Sequence, residues 1–494
     1  MNNVKVSNKK LLLSSLIYSC SGILMKCFSF FLLPLYTAYL TTDDYGITSL
    51  VTSFISTMSF VVTFSLFSAI MRFYVDLKDN PEKLSRFYGT IVIFISLSGV
   101  AFGTISTIFR EFISKTFFSS IDYYPIIFVC LISLVFSCLH TVFDGIMRSQ
   151  QKALKSSVFS LIVFGSNVLL NVIFVVIFEM GAFGVILATL IVNLGYSIYF
   201  IIELSYKKEL YFCLDLKLLK SALKYSIPIM PHNLSTHIAL FVSKILIGDT
   251  ASLTSLGLYS VASQFGNIAD TIHGYVSAAY SPWMYEQLKE KQVDLYDTTR
   301  RTVNLLIAVI SLFFIGIALF AQDYILLFVE KSYATAWHYV PLIVTVFAIK
   351  TVYYFYVDIL FYYKEASKKL FIATVSSSLL NLLISFYLIP LYGVYGSIIA
   401  DGIGMLLRVI IVVVISKKYN DVGLKLRDFV LNFTITVIFV YGGLFLSYTQ
   451  YSNEFSLLNL SYKFGIVIIY IFYIGIRYQN EIWVQFNSIK KMKF

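Results

Sequence analysis

The strongest constraint on this chain is a series of fourteen apolar segments, each long enough to cross a membrane. A helix needs about 20 apolar residues to span about 30 Å of hydrocarbon. Hydrophobic residues make up 58% of the chain and charged residues 13%, so most of the surface must face lipid rather than water. We therefore predict an all-α integral membrane protein. The segments lie at about residues 11–34, 47–70, 87–109, 125–146, 156–178, 183–203, 226–247, 256–280, 302–321, 339–361, 370–389, 394–416, 429–448 and 458–476.

The distribution of lysine and arginine predicts the orientation of these helices. Thirty of the 38 basic residues fall on the side that holds the N-terminus, and four fall on the other side: Arg110, Lys115, Lys331 and Lys463. Basic loops stay in the cytoplasm, so we expect both chain ends to be cytoplasmic. The net charge of +11 then reflects topology and attraction to anionic lipid, and nucleic-acid binding is not needed to explain it.

An internal repeat divides the chain. Three matches recur at offsets of 210 to 212 residues: Asn171 with Asn381, the turns at 181–184 and 393–396, and Gly46 with Gly257. An offset of this size spans six helices, which predicts two pseudo-symmetric six-helix bundles and two extra C-terminal helices. The predicted boundaries are 1–205 for the first bundle, 206–225 for a cytoplasmic linker, 226–420 for the second bundle, and 421–494 for helices thirteen and fourteen with a tail.

The linker has the pattern of a short helix lying on the membrane surface. Three lysines share one helical face and three leucines share the neighbouring face: Lys217, Lys220, Lys224, Leu216, Leu219 and Leu223.

Two such bundles around a midplane site are the architecture of alternating-access transporters. The sequence has no phosphate-binding glycine loop, no zinc-protease or serine-hydrolase motif and no clustered metal ligands. We therefore expect no cofactor, no metal and no catalytic residues. The five cysteines lack a paired external spacing, so we expect no disulfide.

Basic residues inside spans are candidates for the transport site, because such a charge costs roughly 2.5–3.5 kcal/mol at the centre of a helix. Lys26, about fifteen residues into the first span, either lines a watery passage or forms a structural ion pair. Arg72 ends the second span and either binds substrate or extends to the headgroups. Lys244 lies late in the seventh span and emerges on the external side unless it lines a cavity.

The seventh and eighth spans carry further candidates. Pro228 and Pro231 remove two backbone donors, which predicts a bent gating helix or a harmless kink near the interface. Asp270 and His273 lie three residues apart on one helical face, so they could carry a coupling ion, bind a sugar or form a satisfied buried pair. Asp401 is a second candidate for ion coupling.

Asp401 also lies seven residues before Arg408, on nearly the same face, which favours charge balance within the bundle. Asp358 and Lys350 are further charges within the second bundle.

Three segments resemble a known family. Residues 31–46 (FLLPLYTAYLTTDDYG), 144–152 (DGIMRSQQK) and 226–235 (SIPIMPHNLS) are similar to parts of Wzx-like polysaccharide-repeat flippases. These belong to the multidrug/oligosaccharidyl-lipid/polysaccharide exporter superfamily. One position differs, because the acidic–basic pair that often ends the seventh helix in the family reads Ser243-Lys244 here.

The resemblance implies a flippase of a bacterial cytoplasmic membrane. It would move undecaprenyl-pyrophosphate-linked oligosaccharide to the outer leaflet for O-antigen or capsule synthesis, through a cationic cavity holding Lys26, Arg72, Lys244 and His273. Membrane lipids, other polysaccharide-assembly proteins and a proton or sodium gradient are the implied partners. The alternatives are a lipid II flippase, a cation-coupled multidrug antiporter and a membrane glycosyltransferase or polymerase. The antiporter would favour acidic residues in the first bundle, and an enzyme would need a larger external loop.

Overall fold

The structure is a computed structural model that describes residues 17–18, 20–119, 121–290, 295–367 and 369–483. The start of the first predicted span at 11–16 and most of the predicted tail, at 484–494, lie outside these residues. The described chain is helical and contains no β-strand. Helices suit a membrane because each one satisfies its own backbone hydrogen bonds.

Seventeen helices form the described architecture. They are α1 Cys20–Tyr39, α2 Thr42–Thr63, α3 Leu66–Leu77, α4 Pro81–Ile108, α5 Arg110–Phe117, α6 Tyr123–Ser149, α7 Ala153–Ile177, α8 Gly181–Tyr206, α9 Leu216–Ser226, α10 Met230–Thr250, α11 Leu253–Glu290, α12 Leu295–Phe328, α13 Lys331–Tyr362, α14 Leu370–Tyr392, α15 Val394–Tyr419, α16 Leu426–Gly443 and α17 Leu457–Arg477. Two single turns, Lys364–Ser367 and Phe445–Thr449, join neighbouring helices.

Twelve described helices are long and apolar enough to cross a membrane, against the fourteen predicted. The seventh and eighth predicted spans are also helical, as α10 and α11, with 21 and 38 residues. These two helices are not apolar enough to be counted as membrane spans, because histidine, asparagine, serine and charged residues interrupt their apolar sequence. The all-helical membrane fold is therefore confirmed, and the count of fourteen is approximate.

The second predicted span, 47–70, is interrupted rather than continuous. The helix α2 stops at Thr63, and the next two residues, Phe64 and Ser65, have φ of 48° and 54°. This left-handed region is costly for side chains other than glycine. The Ser98 hydroxyl donates to the Val62 carbonyl at 2.8 Å, so a backbone acceptor released at the break has a partner within the protein.

The chain divides into two compact units, Met1–Gly257 and Leu258–Phe494. The helix α10 thus belongs to the first unit. The boundaries predicted from the repeat remain a prediction, because contacts within a fold do not test an evolutionary duplication.

Within the first unit, the repeat-related glycines Gly46 and Gly257 lie at one crossing of α2 and the start of α11. A Cβ on Gly46 would lie 2.3 Å from the Leu253 carbonyl oxygen, and a Cβ on Gly257 would lie 2.0 Å from the Thr42 carbonyl oxygen. Thr42 and Leu253 are themselves separated by the repeat offset. Equivalent residues therefore make reciprocal contacts, and only glycine permits this close backbone approach.

The helix α9, Leu216–Ser226, lies at the position of the predicted surface helix. The Asp215 side chain accepts hydrogen bonds from the backbone N–H groups of Lys217 and Leu218, which caps the start of α9. Leu219 and Ala222 are buried, and the predicted lysine face is exposed. The helix packs on α3 and α4, so its buried face meets protein.

In the second unit, α12 is joined to both of the last two helices by charged side chains. Arg300 donates to Asp428 of α16 at 2.6 and 3.0 Å. Lys463 of α17 donates to Asp323 at 2.6 Å, and both side chains are buried. These pairs anchor the two C-terminal helices to opposite ends of α12.

The glycine crossing gives a stability prediction. Gly46→Ala forces the two backbones apart, and overpacking of this kind costs about 1–3 kcal/mol. Gly165 in α7 has nothing within 4 Å of its virtual Cβ, so Gly165→Ala should instead stabilise its helix by about 0.5–1 kcal/mol. Thermal unfolding in detergent measures both variants. Equal melting temperatures for the two variants would contradict the close backbone approach at Gly46.

Candidate substrate site

The positively charged side chain of Lys244 lies at the contact of α10 with α2. Its Nζ donates to the hydroxyls of Ser49 at 2.8 Å and Ser53 at 2.7 Å, and lies 3.4 Å from the Ser49 carbonyl oxygen. The two serines are four residues apart, so they share one face of α2. The side chain of Lys244 is half-buried.

The charge of Lys244 has no direct counterion in the part of the chain that the structure describes. No described carboxylate oxygen lies within 4 Å of its Nζ. A desolvated charge is costly unless it is paired and hydrogen-bonded, and here the partners are neutral oxygens. A serine hydroxyl that accepts from lysine still has its own hydrogen to donate. The cluster of Lys244, Ser49 and Ser53 is therefore suited to an anion.

The face of α10 that carries Lys244 packs against α2 over further residues. His237, Phe241 and Lys244 recur at helical spacing, and the ring of His237 lies 4.7 Å from that of Phe60. The Thr57 hydroxyl contacts the His237 carbonyl oxygen at 3.3 Å. The ammonium group of Lys244 thus lies at one end of a row of polar and aromatic side chains at the contact of α10 with α2.

The other predicted cations of the first unit lie elsewhere. Arg72 forms a 2.6 Å ion pair with Asp76, one turn away, and both side chains are 51% exposed. Arg72 thus has an acidic partner on its own helix. Lys26 is exposed on α1. The structure does not bring Arg72 to the Lys244 cluster, and binding roles for Lys26 and Arg72 remain predictions.

Pro228 lies in the turn before α10, and Pro231 lies in the first turn of this helix. The chain turns at 227–229 after α9, and α10 begins at Met230 with Pro231 in its first turn. Proline is tolerated there because that N–H has no helical partner. The backbone of the predicted span 226–247 thus turns next to Pro228, near the start of that span, and a gating role for Pro228 and Pro231 remains a prediction.

In the second unit, Asp270 and His273 lie on one face of α11, as predicted, and both contact α13. Asp270 accepts from Lys350 at 2.6 Å and from the Tyr354 hydroxyl at 3.1 Å. His273 is buried, and its Nε2 lies 2.8 Å from the Thr351 hydroxyl. Lys350 is the partner that sequence reasoning did not assign to Asp270.

The other intramembrane charges of this unit have separate partners. Asp401 accepts from the Asn381 amide at 2.6 Å, whereas Arg408 donates to Ser377 at 2.9 Å. Asp358 is buried and accepts from Ser281 at 2.7 Å. Asp401 and Arg408 thus form no direct ion pair within the described chain. Among the described residues, no group of three metal-ligating side chains is found.

Comparison with known proteins identifies the family. A family model described as "Polysaccharide biosynthesis protein" matches residues 11–288, more than half of the chain. The chain belongs to this polysaccharide biosynthesis protein family. A comparison with curated proteins gave no match.

Solved structures agree on the fold of this family member. The lipid II flippase MurJ, in an inward closed conformation, aligns with a TM-score of 0.71 at 16% identity, over 94% of this chain and all of that one. An inward-facing multidrug resistance transporter of the MATE family aligns at 0.59 and 17% identity, over 78% and 92%. The Vibrio cholerae MATE transporter VcmN aligns at 0.53 and 14% identity, over 87% and 100%.

These matches confirm the resemblance found in the sequence. The chain is a multi-pass membrane protein of the polysaccharide biosynthesis protein family, and it shares its fold with MurJ and with MATE transporters. Identities this low establish the fold alone, so the cargo must be argued from the residues.

The different surroundings of two lysines give a second prediction. Lys244→Met removes a charge without a counterion, so the free energy of unfolding should be unchanged or should rise by about 1 kcal/mol. Lys350→Met leaves Asp270 without its cation and should lower that free energy by about 1–3 kcal/mol. Thermal unfolding in one detergent compares them. A large loss of stability for Lys244→Met would make Lys244 a structural residue.

Proposed function

We propose that this family member flips an undecaprenyl-pyrophosphate-linked oligosaccharide from the cytoplasmic to the outer leaflet, for surface polysaccharide synthesis. The observation that supports this best is Lys244, a half-buried cation held by two serine hydroxyls with no described carboxylate within 4 Å. Membership of the polysaccharide biosynthesis family supplies the cargo class.

The chemistry of the Lys244 cluster fits a pyrophosphate. Phosphate oxygens accept charge-assisted hydrogen bonds, and lysine is a mobile point charge with three donors. One ammonium and two hydroxyls hold such a group without enclosing it, so the headgroup can also leave. Outward movement of negative charge follows an inside-negative potential, worth roughly 2.3 kcal/mol per charge per 100 mV.

Two carboxylates of the first unit, Asp144 and Glu203, are already neutralised and are therefore poor sites for a cationic drug. Asp144 pairs with Arg148 at 2.9 Å, and Glu203 pairs with both Lys155 and Lys207. Each of these acidic groups already has a basic partner, whereas Lys244 has none among the described residues.

A second candidate is the peptidoglycan precursor lipid II, which the alignment with MurJ favours. Both cargoes share the polyprenyl pyrophosphate, so the Lys244 cluster suits either. The sugar distinguishes them, and complementation of a MurJ-depleted strain or of a surface-glycan flippase mutant tests the choice.

The remaining assignments follow from the topology. The protein would lie in a bacterial cytoplasmic membrane with both termini inside the cell. Asp270 and Asp401 are the candidates for coupling to a proton or sodium gradient, and Lys26 is the candidate for a second contact to the anionic head. The chain would act without a cofactor and without catalytic chemistry of its own.

Surface glycan tests the proposed role of Lys244. We expect Lys244→Ala to reduce glycan by about tenfold or more, because charge-assisted hydrogen bonds to the headgroup are lost. Lys244→Arg should restore much of it, since arginine also binds phosphate. Immunoblotting of surface glycan at matched protein levels measures the effect.

Lys220→Ala in the exposed face of α9 is the matched control and should leave glycan unchanged. Lys26→Ala and Lys26→Arg apply the same comparison to the second predicted cation. A wild-type amount of surface glycan in the Lys244→Ala variant would show that Lys244 has no role in transport.

A further inference from the structure

A groove of about 610 Å³ opens between α4 and α6 in the first unit. The two helices touch where Gly99 faces Val135, since a Cβ on Gly99 would lie 3.2 Å from the valine side chain. One turn further, Gly103 has nothing within 4 Å of its virtual Cβ. The helices are joined again where the Tyr123 hydroxyl donates to Thr107 at 2.9 Å.

The shape and lining of this α4–α6 groove fit a hydrocarbon chain. Its walls are mainly apolar and include Val100, Ile108, Phe128, Leu131 and Phe136. Both helices are apolar enough to span a membrane, so the groove lies at the depth of acyl chains. A cavity of about 150 Å³ accommodates benzene, which suggests room for about 24 carbon atoms here. That is enough for one phospholipid acyl chain.

Two basic residues follow the end of α4 at which Ile108 lines the groove. Arg110 and Lys115 belong to α5, which follows α4 after a single residue, and both are exposed. In the described part of the chain, neither has a carboxylate oxygen within 4 Å. In the predicted topology, only four basic residues face outward, and two of them are here. With Glu111 on the same helix, α5 keeps a net positive charge, which complements an anionic headgroup.

We propose that the α4–α6 groove binds one acyl chain of an anionic phospholipid of the outer leaflet, with Arg110 and Lys115 contacting its phosphate. The site is distinct from the Lys244 cluster and does not depend on the cargo.

The lipid would also stabilise the position of α5 beside the Lys244 cluster. The ring of Phe117, the last residue of α5, lies 5.8 Å from that of Phe241, and the ring of Phe118 lies 5.1 Å from that of Phe54. Phe54 follows Ser53, and Phe241 precedes Lys244 by one turn. A lipid that holds α5 therefore supports the aromatic residues that pack next to the cation.

Photolabelling of the purified full-length protein tests the site. The probes are phosphatidylglycerol and phosphatidylethanolamine with a diazirine on one acyl chain, and labelled peptides are mapped by mass spectrometry. We expect labelling of the groove-lining segments of α4 and α6, with about a tenfold preference for the anionic phosphatidylglycerol.

Three variants define the outcome. Gly103→Leu fills the groove and should abolish this labelling, whereas Gly165→Leu, at an equally open glycine of α7, should not. The double variant Arg110→Gln/Lys115→Gln should keep acyl labelling but lose the headgroup preference. Equal labelling of the two probes by the unmodified protein, wild-type labelling of Gly103→Leu, or displacement by equimolar polyprenyl phosphate would overturn the proposal.

Discussion

The contact of the Lys244 ammonium with two serine hydroxyls is the interaction on which this account of the protein depends. A basic side chain costs roughly 2.5–3.5 kcal/mol at the centre of a membrane helix, and hydroxyl groups offset only part of this. The site is nonetheless well positioned, because Ser49 and Ser53 follow Gly46 on α2, where the glycine crossing holds the helix. A cation that has no counterion among the described residues is consistent with the proposed binding of an external anion.

Three ion pairs of the second unit contrast with Lys244. Lys463 with Asp323, Arg300 with Asp428 and Lys350 with Asp270 are close pairs between helices. Removing one member of a buried pair leaves an uncompensated charge, so these pairs constrain which helices pack together. The described chain therefore contains charges paired between helices and also two cations, Lys244 and Arg408, whose side-chain partners are hydroxyl groups.

The helical membrane fold could be predicted from the sequence because apolar length alone determines what can cross a bilayer. The repeat offset that paired Gly46 with Gly257 also pointed to a real contact. Tertiary partners could not be predicted in this way: Lys244 meets residues nearly 200 positions away, and Lys350 meets Asp270 across 80 positions. Local patterns do not encode such pairings. The exact residue at which α10 begins could not be predicted either, because helix boundaries are uncertain by one or two residues.

Leaflet-resolved transport in reconstituted vesicles tests the central claim most directly. One glycan is attached to a polyprenyl pyrophosphate and, separately, to an uncharged polyprenyl carrier, and its arrival in the opposite leaflet is timed. The account predicts that the wild-type protein moves the charged cargo about tenfold faster and that Lys244→Gln removes this advantage. Undiminished movement of the pyrophosphate cargo by Lys244→Gln would contradict it.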